Sequence, residues 1–347
     1  KGVGVVVDGF PAGLPLQEED IQTYLDRRKP GQSRFTTKRK EADQVEILSG
    51  VFEGKTTGHP ISLMVANTDQ RSHDYSEIAN CYRPGHADLN YDRKYGFRDY
   101  RGGGRSSGRE TIGRVAAGAI AAKLLKELGI TVSAYTYSIG PVQINRANFS
   151  KEEISNNALY MPDTQAAQAA QEYLDKCMRE TNSSGGMVEC EITGVPAGIG
   201  EPAFEKLDAA LAKAMFSIGA VKGFEIGEGM EAARLTGLEN NDAYRMDTEG
   251  QIMKKTNHSG GITGGISDGA PILFRAAFKP TPSIAAPQET VNRQGEEIEI
   301  RIKGRHDPII VPRAVVVVES MAALVILDAM LGSMTTRLDK IKEFFDK

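Results

Sequence analysis

The pattern of apolar and polar positions predicts a protein built from both helices and strands. Four segments repeat apolar residues at helical spacing, and shorter apolar runs bounded by glycine or proline predict strands. The last helical segment is apolar on nearly every side, which predicts a buried central helix, and Glu319 and Asp328 within it argue against a membrane span. The four predicted helices cover residues 112–128, 165–178, 203–216 and 314–331.

A pattern of strand, turn and helix occurs twice along the chain. Strand-like runs lead into Pro-Ala-Gly at residues 11–13 and again at 196–198, and strand candidates at 44–52 and 220–226 follow the two helices. Chance recurrence of a common turn explains five matched positions equally well, so both interpretations stay open. A true repeat implies two related α+β halves around one core, with the helices sandwiched by sheets.

The composition is that of an ordinary globular protein and excludes some classes of function. The 347 residues can form one large domain or two small ones. A net charge of −4 argues against a nucleic-acid binder held by bulk electrostatics. Cys81, Cys177 and Cys190 are few and widely spaced, which indicates a reducing, cytoplasmic compartment and argues against a structural zinc site. We therefore expect no bound metal.

The densest chemical signal lies between residues 83 and 114, where seven arginines, one histidine and a triple glycine precede a helix. Guanidinium groups match phosphate or carboxylate, glycine allows close backbone approach, and a helix N-terminus favours negative charge. Residues 107–110 fit a capping box at that N-terminus. The segment therefore predicts an anion site, and the alternative is a surface lattice of ion pairs with Asp88, Asp92 and Asp99.

Three further clusters carry possible chemistry. Residues 26–34 and 38–40 put arginines and lysines on a loop after a helix, which fits a nucleic-acid patch or a solvated helix end. Two glycine pairs within residues 257–266 fit either a ligand contact or a tight structural crossing. Residues 303–308 carry lysine, arginine, histidine and aspartate on one loop before the apolar helix, and this cluster is either functional or an ordinary surface loop.

Together these clusters resemble the chorismate synthase family from end to end. The long arginine-rich stretch is the most specific part of the resemblance. The chain departs from the family at its start, because it opens at the residue that follows the family's Gly-Glu-Ser-His-Gly motif, so we expect that segment and its strand to be missing from one chorismate synthase domain over residues 1–347. The resemblance rests on DGFPAGLPL, LDRRKPGQSR, TDQRSHDY, RPGHADLNYDRKYGFRDYRGGGRSSGRET, GVPAGIGEP, SIGAVKGFEIGEG, NHSGGITGGISDG, KPTPSI and KGRHDPIIVPRA.

The resemblance implies a lyase of the shikimate pathway. Such enzymes convert 5-enolpyruvylshikimate 3-phosphate into chorismate and phosphate by an anti-1,4-elimination that requires reduced FMN. It also implies an α+β fold, a β-α-β sandwich whose central helices lie between antiparallel sheets. A trianionic substrate needs converging arginines. The substrate-side arginines implied by the family are Arg28, Arg34, Arg83 and Arg109.

The resemblance also implies the flavin site and the acid–base groups. His86 would protonate or hydrogen-bond the reduced flavin, Asp307 relayed through Ser107 would deprotonate flavin N5, and the histidine of the family's Gly-Glu-Ser-His-Gly motif would act as acid toward the phosphate. His59, His73 and His258 are expected to be structural, and the role of His306 is open. The implied flavin contacts are Arg105, Ser106, Ser107, Gly219, Ala220, Gly264, Lys279, Pro280, Thr281, Pro282, Ser283 and Arg305.

Assembly and redox supply follow from the resemblance as further expectations. The family forms homotetramers, and the compact length resembles members that depend on an external flavin reductant rather than on their own NADPH-linked activity. Two other classes stay open on the residues alone. A binding module for a phosphorylated small molecule would not need His86 and Asp307, and an RNA-binding protein using residues 27–40 would show a steep salt dependence.

Overall fold

The computed structural model describes residues 2–37, 42–67, 77–100, 104–302 and 307–346. Its helices are α1 Glu18–Arg28, α2 Asp88–Tyr95, α3 Thr111–Glu127, α4 Glu153–Asn156, α5 Thr164–Arg179, α6 Leu207–Phe216, α7 Gly237–Asn240, α8 Val311–Ser333 and α9 Leu338–Phe345. Its strands are β1 Gly2–Val7, β2 Val45–Ile47, β3 Val51–Phe52, β4 Lys55–Thr56, β5 Ile61–Ala66, β6 Thr131–Ile139, β7 Val142–Gln143, β8 Gly186–Thr193, β9 Val221–Ile226, β10 Tyr244–Met246, β11 Ile252–Lys254, β12 Ile262–Thr263, β13 Ile266–Ser267, β14 Ile272–Phe278, β15 Gln288–Val291 and β16 Glu297–Ile300.

Two antiparallel sheets enclose a double layer of helices. The small sheet has the order β1-β5-β2, and the large sheet has the order β7-β6-β8-β14-β9. Helices α1 and α3 pack against the small sheet, α6 and α8 pack against the large sheet, and α3 and α8 pack against each other between them. One contiguous core fills this arrangement. The predicted α+β sandwich, with central helices between antiparallel sheets, is confirmed.

Helix α8 is the centre of this core. Within the described part of the chain it is the one helix whose length and composition would allow it to cross a membrane. It nevertheless packs against α3, α6 and two strands of the large sheet, and Val315 to Val318 are all buried. Helix α8 is therefore a core helix, as its continuous apolar sequence predicts.

The two halves of the chain repeat one unit. Strand β1, helix α1, β2 and β5 follow one another in the first half, and β8, α6, β9 and β14 do so in the second. In each case the last strand pairs with both others, which gives the orders β1-β5-β2 and β8-β14-β9. The unit then continues into the long helix α3 or α8. The duplication suggested by the sequence is therefore real at the level of topology.

The Pro-Ala-Gly turns of the two units match in their hydrogen bonds. Gly13 has φ 97° and its N–H donates to the carbonyl of Thr56 at 2.8 Å, while Gly198 has φ 100° and donates to the carbonyl of Ser267 at 2.8 Å. In both units the hydroxyl of that partner, Thr56 or Ser267, donates back to the carbonyl of the turn's proline. Left-handed φ angles explain the glycine in each turn.

Two sequence-based boundaries and the placement of one helix change. Helix α6 begins at Leu207, not at 203, because the Leu207 N–H bonds to the carbonyl of Gly265 and holds the preceding residues as a loop. The predicted strand 44–52 divides into β2 and β3, since the chain turns at Gly50 with φ 83°. Helix α5 lies beside the edge strand β7 instead of between the sheets.

A substitution at the crossing of α3 and α8 tests the packing of the helix layer. A Cβ at Gly118 would lie 2.3 Å from the Cβ of Ser320, closer than packed atoms can approach. We expect Gly118→Ala to lower the free energy of unfolding by about 1–3 kcal/mol, because the two helices must separate. Denaturant unfolding followed by circular dichroism measures this change.

Gly332→Ala is the matched control for this test. A Cβ at Gly332, near the end of α8, meets no atom within 4 Å. Its unfolding free energy should stay unchanged or rise by up to about 1 kcal/mol, the difference in helix propensity between glycine and alanine. Equal stability of the two variants would show that the crossing tolerates a wider separation.

Candidate active site

A network of arginines and aspartates lies where α1 ends and where α3 and α8 begin. We call Arg28, Asp43, Arg109, Asp307 and Arg313 the arginine network. Arg28, the last residue of α1, is 1% exposed, and its guanidinium donates to Asp43 Oδ2 at 2.5 Å and to the carbonyl of Gly108 at 3.0 Å. The other oxygen of Asp43 accepts from Arg109 Nη1 at 3.2 Å. One carboxylate therefore joins two of the predicted substrate arginines.

Asp307 belongs to the same network through Arg313. Arg313, in the first turn of α8, donates from Nη1 to Asp307 Oδ2 at 2.5 Å and from Nε to the carbonyl of Arg28 at 2.8 Å. The second oxygen of Asp307 accepts from the N–H of Thr37 at 2.6 Å. The side chain of Asp307 is 10% exposed. The predicted base is thus fixed in place beside the end of α1.

The network concentrates positive charge in a buried place. Burial and the nearby charge of Arg313 lower the pKa of Arg28 to about 10, and Asp43 opposes both effects. Three guanidinium groups, those of Arg28, Arg109 and Arg313, contact the carboxylates of Asp43 and Asp307 here. Such a site favours an anion, since desolvated charge attracts more strongly than charge in water.

A second group, which we call the histidine cluster, consists of Arg83, His86, Asp88, Arg98 and Ser283. Asp88 accepts from Arg83 Nε and Nη2, both at 2.8 Å, and lies 2.7 Å from Arg98 Nη1. The Nδ1 atom of His86 is 2.9 Å from Asp88 Oδ1. Arg83 also reaches Ser283 Oγ at 3.4 Å. These ion pairs are buried, not the surface lattice considered as an alternative.

Asp88 determines which nitrogen of His86 carries a proton. The contact between Arg83 Nη2 and His86 Nδ1, at 3.1 Å, is a hydrogen bond only if Nδ1 is an acceptor. The shorter contact to the ionised Asp88 favours a proton on Nδ1. Burial alone would raise the pKa of Asp88, but hydrogen bonds from Arg83 and His86 outweigh it and hold that pKa well below its ordinary value. Nε2 of His86 is then the atom left for a ligand.

The segment before α3 begins as a pair of 3₁₀ turns. Ser107 caps the second turn, since its hydroxyl accepts from the N–H of Arg109 at 3.3 Å. The predicted capping box is wrong in its second half: the N–H of Ser107 bonds to Gly104, and Glu110 pairs with Arg114. Ser106 ends the first turn. Arg105 is exposed and 3.9 Å from Glu110.

Residues 279–283 lie against the histidine cluster. Lys279 Nζ donates to the carbonyl of Gly85 at 2.6 Å, and the Lys279 N–H bonds to the carbonyl of Ala220 at 3.0 Å. A Cβ at Gly85 would lie 3.4 Å from Pro282, so that proline also covers the histidine cluster. The structure therefore places residues 279–283 and Ala220 beside the histidine cluster, and their contact with a flavin stays a prediction.

The same segment reaches toward Asp307. Ser183 Oγ donates to the carbonyl of Thr281 at 2.7 Å, and the N–H of the next residue, Ser184, donates to the carbonyl of Pro308 at 2.9 Å. Pro280 packs against Gly185, where an added Cβ would lie 3.1 Å from its ring. Residues 183–185 thus join residues 279–283 to the arginine network.

The glycine pairs of residues 257–266 serve mainly as a structural crossing. A Cβ at Gly260, Gly261 or Gly265 would lie within 2.5 Å of backbone atoms of other segments. Gly264 differs, because a Cβ there would meet nothing within 4 Å, and it sits with φ 64° at the tip of the β12–β13 hairpin. Among these glycines Gly264 is the position open to a ligand.

Other predicted residues lie apart or outside the described ranges. The Arg34 side chain is 59% exposed and donates to Asp175 of α5 at 2.9 Å. Asp307 and Ser107 share no hydrogen bond in the described part of the chain, so the relay between them stays a prediction. Arg305, His306, His73 and residues 38–40 lie outside the described residues.

Sequence reasoning missed Asp43 and Arg313 as members of the site. Asp43 is a lone acid after a basic loop, and Arg313 stands at the start of an apolar helix, where a charge is unusual. Within the described ranges, no group of three metal-ligating side chains comes together, and the three cysteines are buried thiols. The predicted absence of a metal site has no further test here.

Comparison with known proteins decides the family. The sequence model for chorismate synthase matches residues 1–331. The chain belongs to the chorismate synthase family. The chorismate synthase of Agathobacter rectalis is 69% identical over 347 residues, covering 100% of this chain and 94% of the relative. That of Lachnoclostridium phytofermentans is 66% identical, with 100% and 95% covered.

A solved structure supports the same conclusion. A structure described as "Crystal Structure of Chorismate Synthase" is 32% identical, with a TM-score of 0.76, and the match covers 99% of this chain and 92% of that one. Membership in the chorismate synthase family makes the protein a lyase that converts 5-enolpyruvylshikimate 3-phosphate into chorismate and phosphate, a step of aromatic amino acid biosynthesis. The sequence-based family and activity are confirmed.

Neutralising Asp88 tests the electrostatics of the histidine cluster. Asp88→Asn leaves Arg83 and Arg98 without their shared counter-ion, so we expect a loss of about 3–5 kcal/mol in the free energy of unfolding at pH 7. Asp208→Asn, in an exposed pair with Lys206, should change stability by less than about 1 kcal/mol. Urea unfolding of both variants measures the difference.

The difference in unfolding free energy between the wild type and Asp88→Asn should fall as the pH is lowered. Because the folded-state pKa of Asp88 lies below the unfolded value of about 3.9, its stabilising effect is complete above that value and is lost as the pH falls below it. The gap between wild type and Asp88→Asn should be constant from about pH 7 to 5 and shrink below about pH 4. A gap that instead widens on acidification would contradict the assigned pKa direction.

Proposed function

We propose that the arginine network binds the substrate anion and that the histidine cluster, with residues 279–283, binds reduced FMN. The observation that carries the proposal is the joining of Arg28 and Arg109 by one buried carboxylate, in a network that brings three guanidinium groups together. The two groups are linked through residues 183–185, so both ligands would share one cavity. The reaction needs them in contact.

The substrate side follows from charge and geometry. The substrate carries one phosphate and two carboxylates, and guanidinium groups bind such groups through paired N–H donors. Arg28 and Arg109 come from two different helix ends and are already oriented by Asp43, which lowers the cost of ordering them when the anion binds. Arg83 would approach from the histidine cluster, and Arg34 from its exposed loop.

The described residues fit a flavin phosphate and ring. Thr281 Oγ1 is buried and, among described atoms, has no hydrogen-bond partner, so it leaves a polar group for a ligand. Burial and the neighbouring charge of Lys222 lower the pKa of Lys279, which fits a cation that gains from an added anion. A Cβ added at Gly219 or Gly264 would meet no atom within 4 Å, so a ligand could approach the backbone there. Reduced FMN, when bound, would supply transient electron donation without net redox change.

The chain's own residues would handle protons on either side of this cavity. His86, with its Nδ1–H directed to Asp88, would present Nε2 to the flavin edge, as an acceptor in the neutral ring and as a donor in the imidazolium form. Asp307, held by Arg313 and by the N–H of Thr37, keeps further oxygen lone pairs to accept a proton, and Ser107 at the mouth of α3 would relay it. Both groups are held by neighbours that limit their rotation.

An anaerobic turnover assay tests the proposal. The purified protein should release chorismate and phosphate in equal amounts from 5-enolpyruvylshikimate 3-phosphate when dithionite-reduced FMN is supplied, and none with oxidised FMN. The phosphate-binding module considered as an alternative would bind the substrate without turnover. Substrate binding with no product under reduced flavin would therefore reject the enzyme assignment of this site.

Two arginine variants compare a partly buried arginine of the proposed substrate site with an exposed one. Arg109→Ala removes a partly buried cation of the network, and we expect substrate binding to weaken by about 2–4 kcal/mol, roughly 30- to 1,000-fold. Arg34→Ala removes an exposed side chain and should weaken binding less. Substrate and FMN dissociation constants, measured by fluorescence titration, give both effects.

Arg179→Ala, at the exposed end of α5, is the control for this pair. It should leave both dissociation constants unchanged, and FMN affinity should change less than substrate affinity in Arg109→Ala and Arg34→Ala. A loss of FMN affinity in Arg34→Ala equal to its loss of substrate affinity would overturn the division of the cavity into two sides.

We also propose a cytoplasmic homotetramer that depends on an external flavin reductant. Exposed apolar side chains at Met230, Leu238 and Ile252 support burial against other subunits, because a monomer would leave them in water. Sedimentation at micromolar concentration tests the assembly, with a monomer as the contrary result. Turnover with NADPH and oxidised FMN alone would contradict dependence on an external reductant.

A further inference from the structure

We propose that Asp43 is a positioning residue for the substrate arginines and that its negative charge determines substrate affinity rather than turnover. The inference rests on the proposed function of the arginine network. The carboxylate of Asp43 is 1% exposed, and each of its two oxygens binds a different arginine: Arg28 at the end of α1 and Arg109 just before α3. Asp43 thus fixes the spacing between two cations that come from separate elements.

The backbone at Asp43 is built to aim this carboxylate. Asp43 has φ 46°, the left-handed region that residues other than glycine, asparagine and aspartate rarely adopt. Gln22 of α1 holds the surrounding backbone, because its Nε2 donates to the carbonyl of Asp43 at 3.3 Å and its Oε1 accepts from the N–H of Val45 at 3.1 Å. An uncommon conformation secured by a helix side chain indicates that the direction of the carboxylate matters.

The charges explain why a carboxylate is needed there. Arg28, Arg109 and Arg313 would repel one another without a counter-ion, and the charges of Arg109 and Arg313 both disfavour the protonated form of Arg28. Asp307 is occupied by Arg313 and the N–H of Thr37, so it does not perform this task. Asp43 is thus the acid that lets Arg28 and Arg109 face one ligand together.

A purely structural role for Asp43 makes a different prediction. A counter-ion for the buried Arg28 alone would bind Arg28 and leave Arg109 to other partners. Arg109 comes from a different element than Arg28, yet it binds the second oxygen of the same carboxylate. The shared contact therefore argues for orientation of a pair, not only for neutralisation of one buried charge.

The isosteric variant Asp43→Asn tests the inference, since asparagine also accepts the left-handed backbone. With reduced FMN and 5-enolpyruvylshikimate 3-phosphate, we expect KM to rise by about 10- to 100-fold, while kcat changes by less than about threefold. The FMN dissociation constant should stay at the wild-type value. An unchanged KM in a folded Asp43→Asn protein would overturn the proposal.

Glu189→Gln is the matched control. Glu189 is another fully buried carboxylate bound to an arginine, Arg146, but it belongs to β8 and lies outside both groups of the site. Its neutralisation should lower the midpoint of thermal unfolding without changing KM. If Glu189→Gln and Asp43→Asn raise KM equally, the effect of Asp43 is general destabilisation, and the proposal is rejected.

Two further variants keep the test decisive if Asp43→Asn does not fold. Asp43→Glu retains the charge but moves the carboxylate by one methylene, so it should fold and raise KM by a smaller factor; a wild-type KM would count against positioning. In an Arg109→Ala background, Asp43→Glu should raise KM by less than it does in the wild type, because the arginine pair that Asp43 orients is already broken. Full additivity would also reject the proposal.

The wild type separates this inference from the proposed function. If the wild type releases no chorismate under reduced flavin, the proposed function fails, and the role of Asp43 that rests on it fails with it. If the wild type is active and Asp43→Asn keeps its KM, only the role of Asp43 fails.

Discussion

The close crossing of α3 and α8 is the contact on which the rest of the molecule depends. Gly118 and Ser320 let the two helices approach until no side chain fits between them, and each helix also packs toward one sheet. Because α3 begins just after Arg109 and α8 just after Asp307, the crossing also fixes where those two residues stand. Arg28 then contacts both helix starts, through Gly108 and Arg313.

The site combines rigid cations with few acids. Arg28 is buried, Arg83 is nearly so, and each is held by an aspartate that spends both of its oxygens on neighbouring cations. Guanidinium groups prepared in this way need little reorganisation when an anion enters, and this is the condition under which electrostatic stabilisation is most effective. Burial of these charges costs desolvation free energy, which the packing of the surrounding apolar core offsets.

Much of the fold was predictable because it depends on local patterns. The spacing of apolar residues gave α3, α5 and α8 within a few residues, and the repeated Pro-Ala-Gly turn pointed to the duplication. The start of α6 was not predictable, since Leu207 is fixed by Gly265, a residue distant in sequence. Boundaries set by such contacts carry no local signal.

The candidate site shows the same difference between residues that a local pattern predicts and residues that depend on distant contacts. Residues such as Arg28, Arg109 and His86 were found through the family resemblance and their dense basic context. Asp43 and Arg313 escaped notice because their importance comes from partners far along the chain: Arg313 contacts Arg28 across 285 positions. A lone acid in a loop looks ordinary until its neighbours in space are known.

The duplication has a consequence for how one scaffold can present two unlike surfaces. Equivalent helices α1 and α6 end at equivalent positions of their units, yet α1 ends in Arg28 and a basic loop, whereas the chain after α6 reaches Gly219 and Ala220 within four residues. A symmetric pair of units would offer the same surface twice. Under the proposed function, divergence of the two helix ends would give one charged surface for a small trianion and one glycine-containing backbone surface for a flat ring, without any change of scaffold.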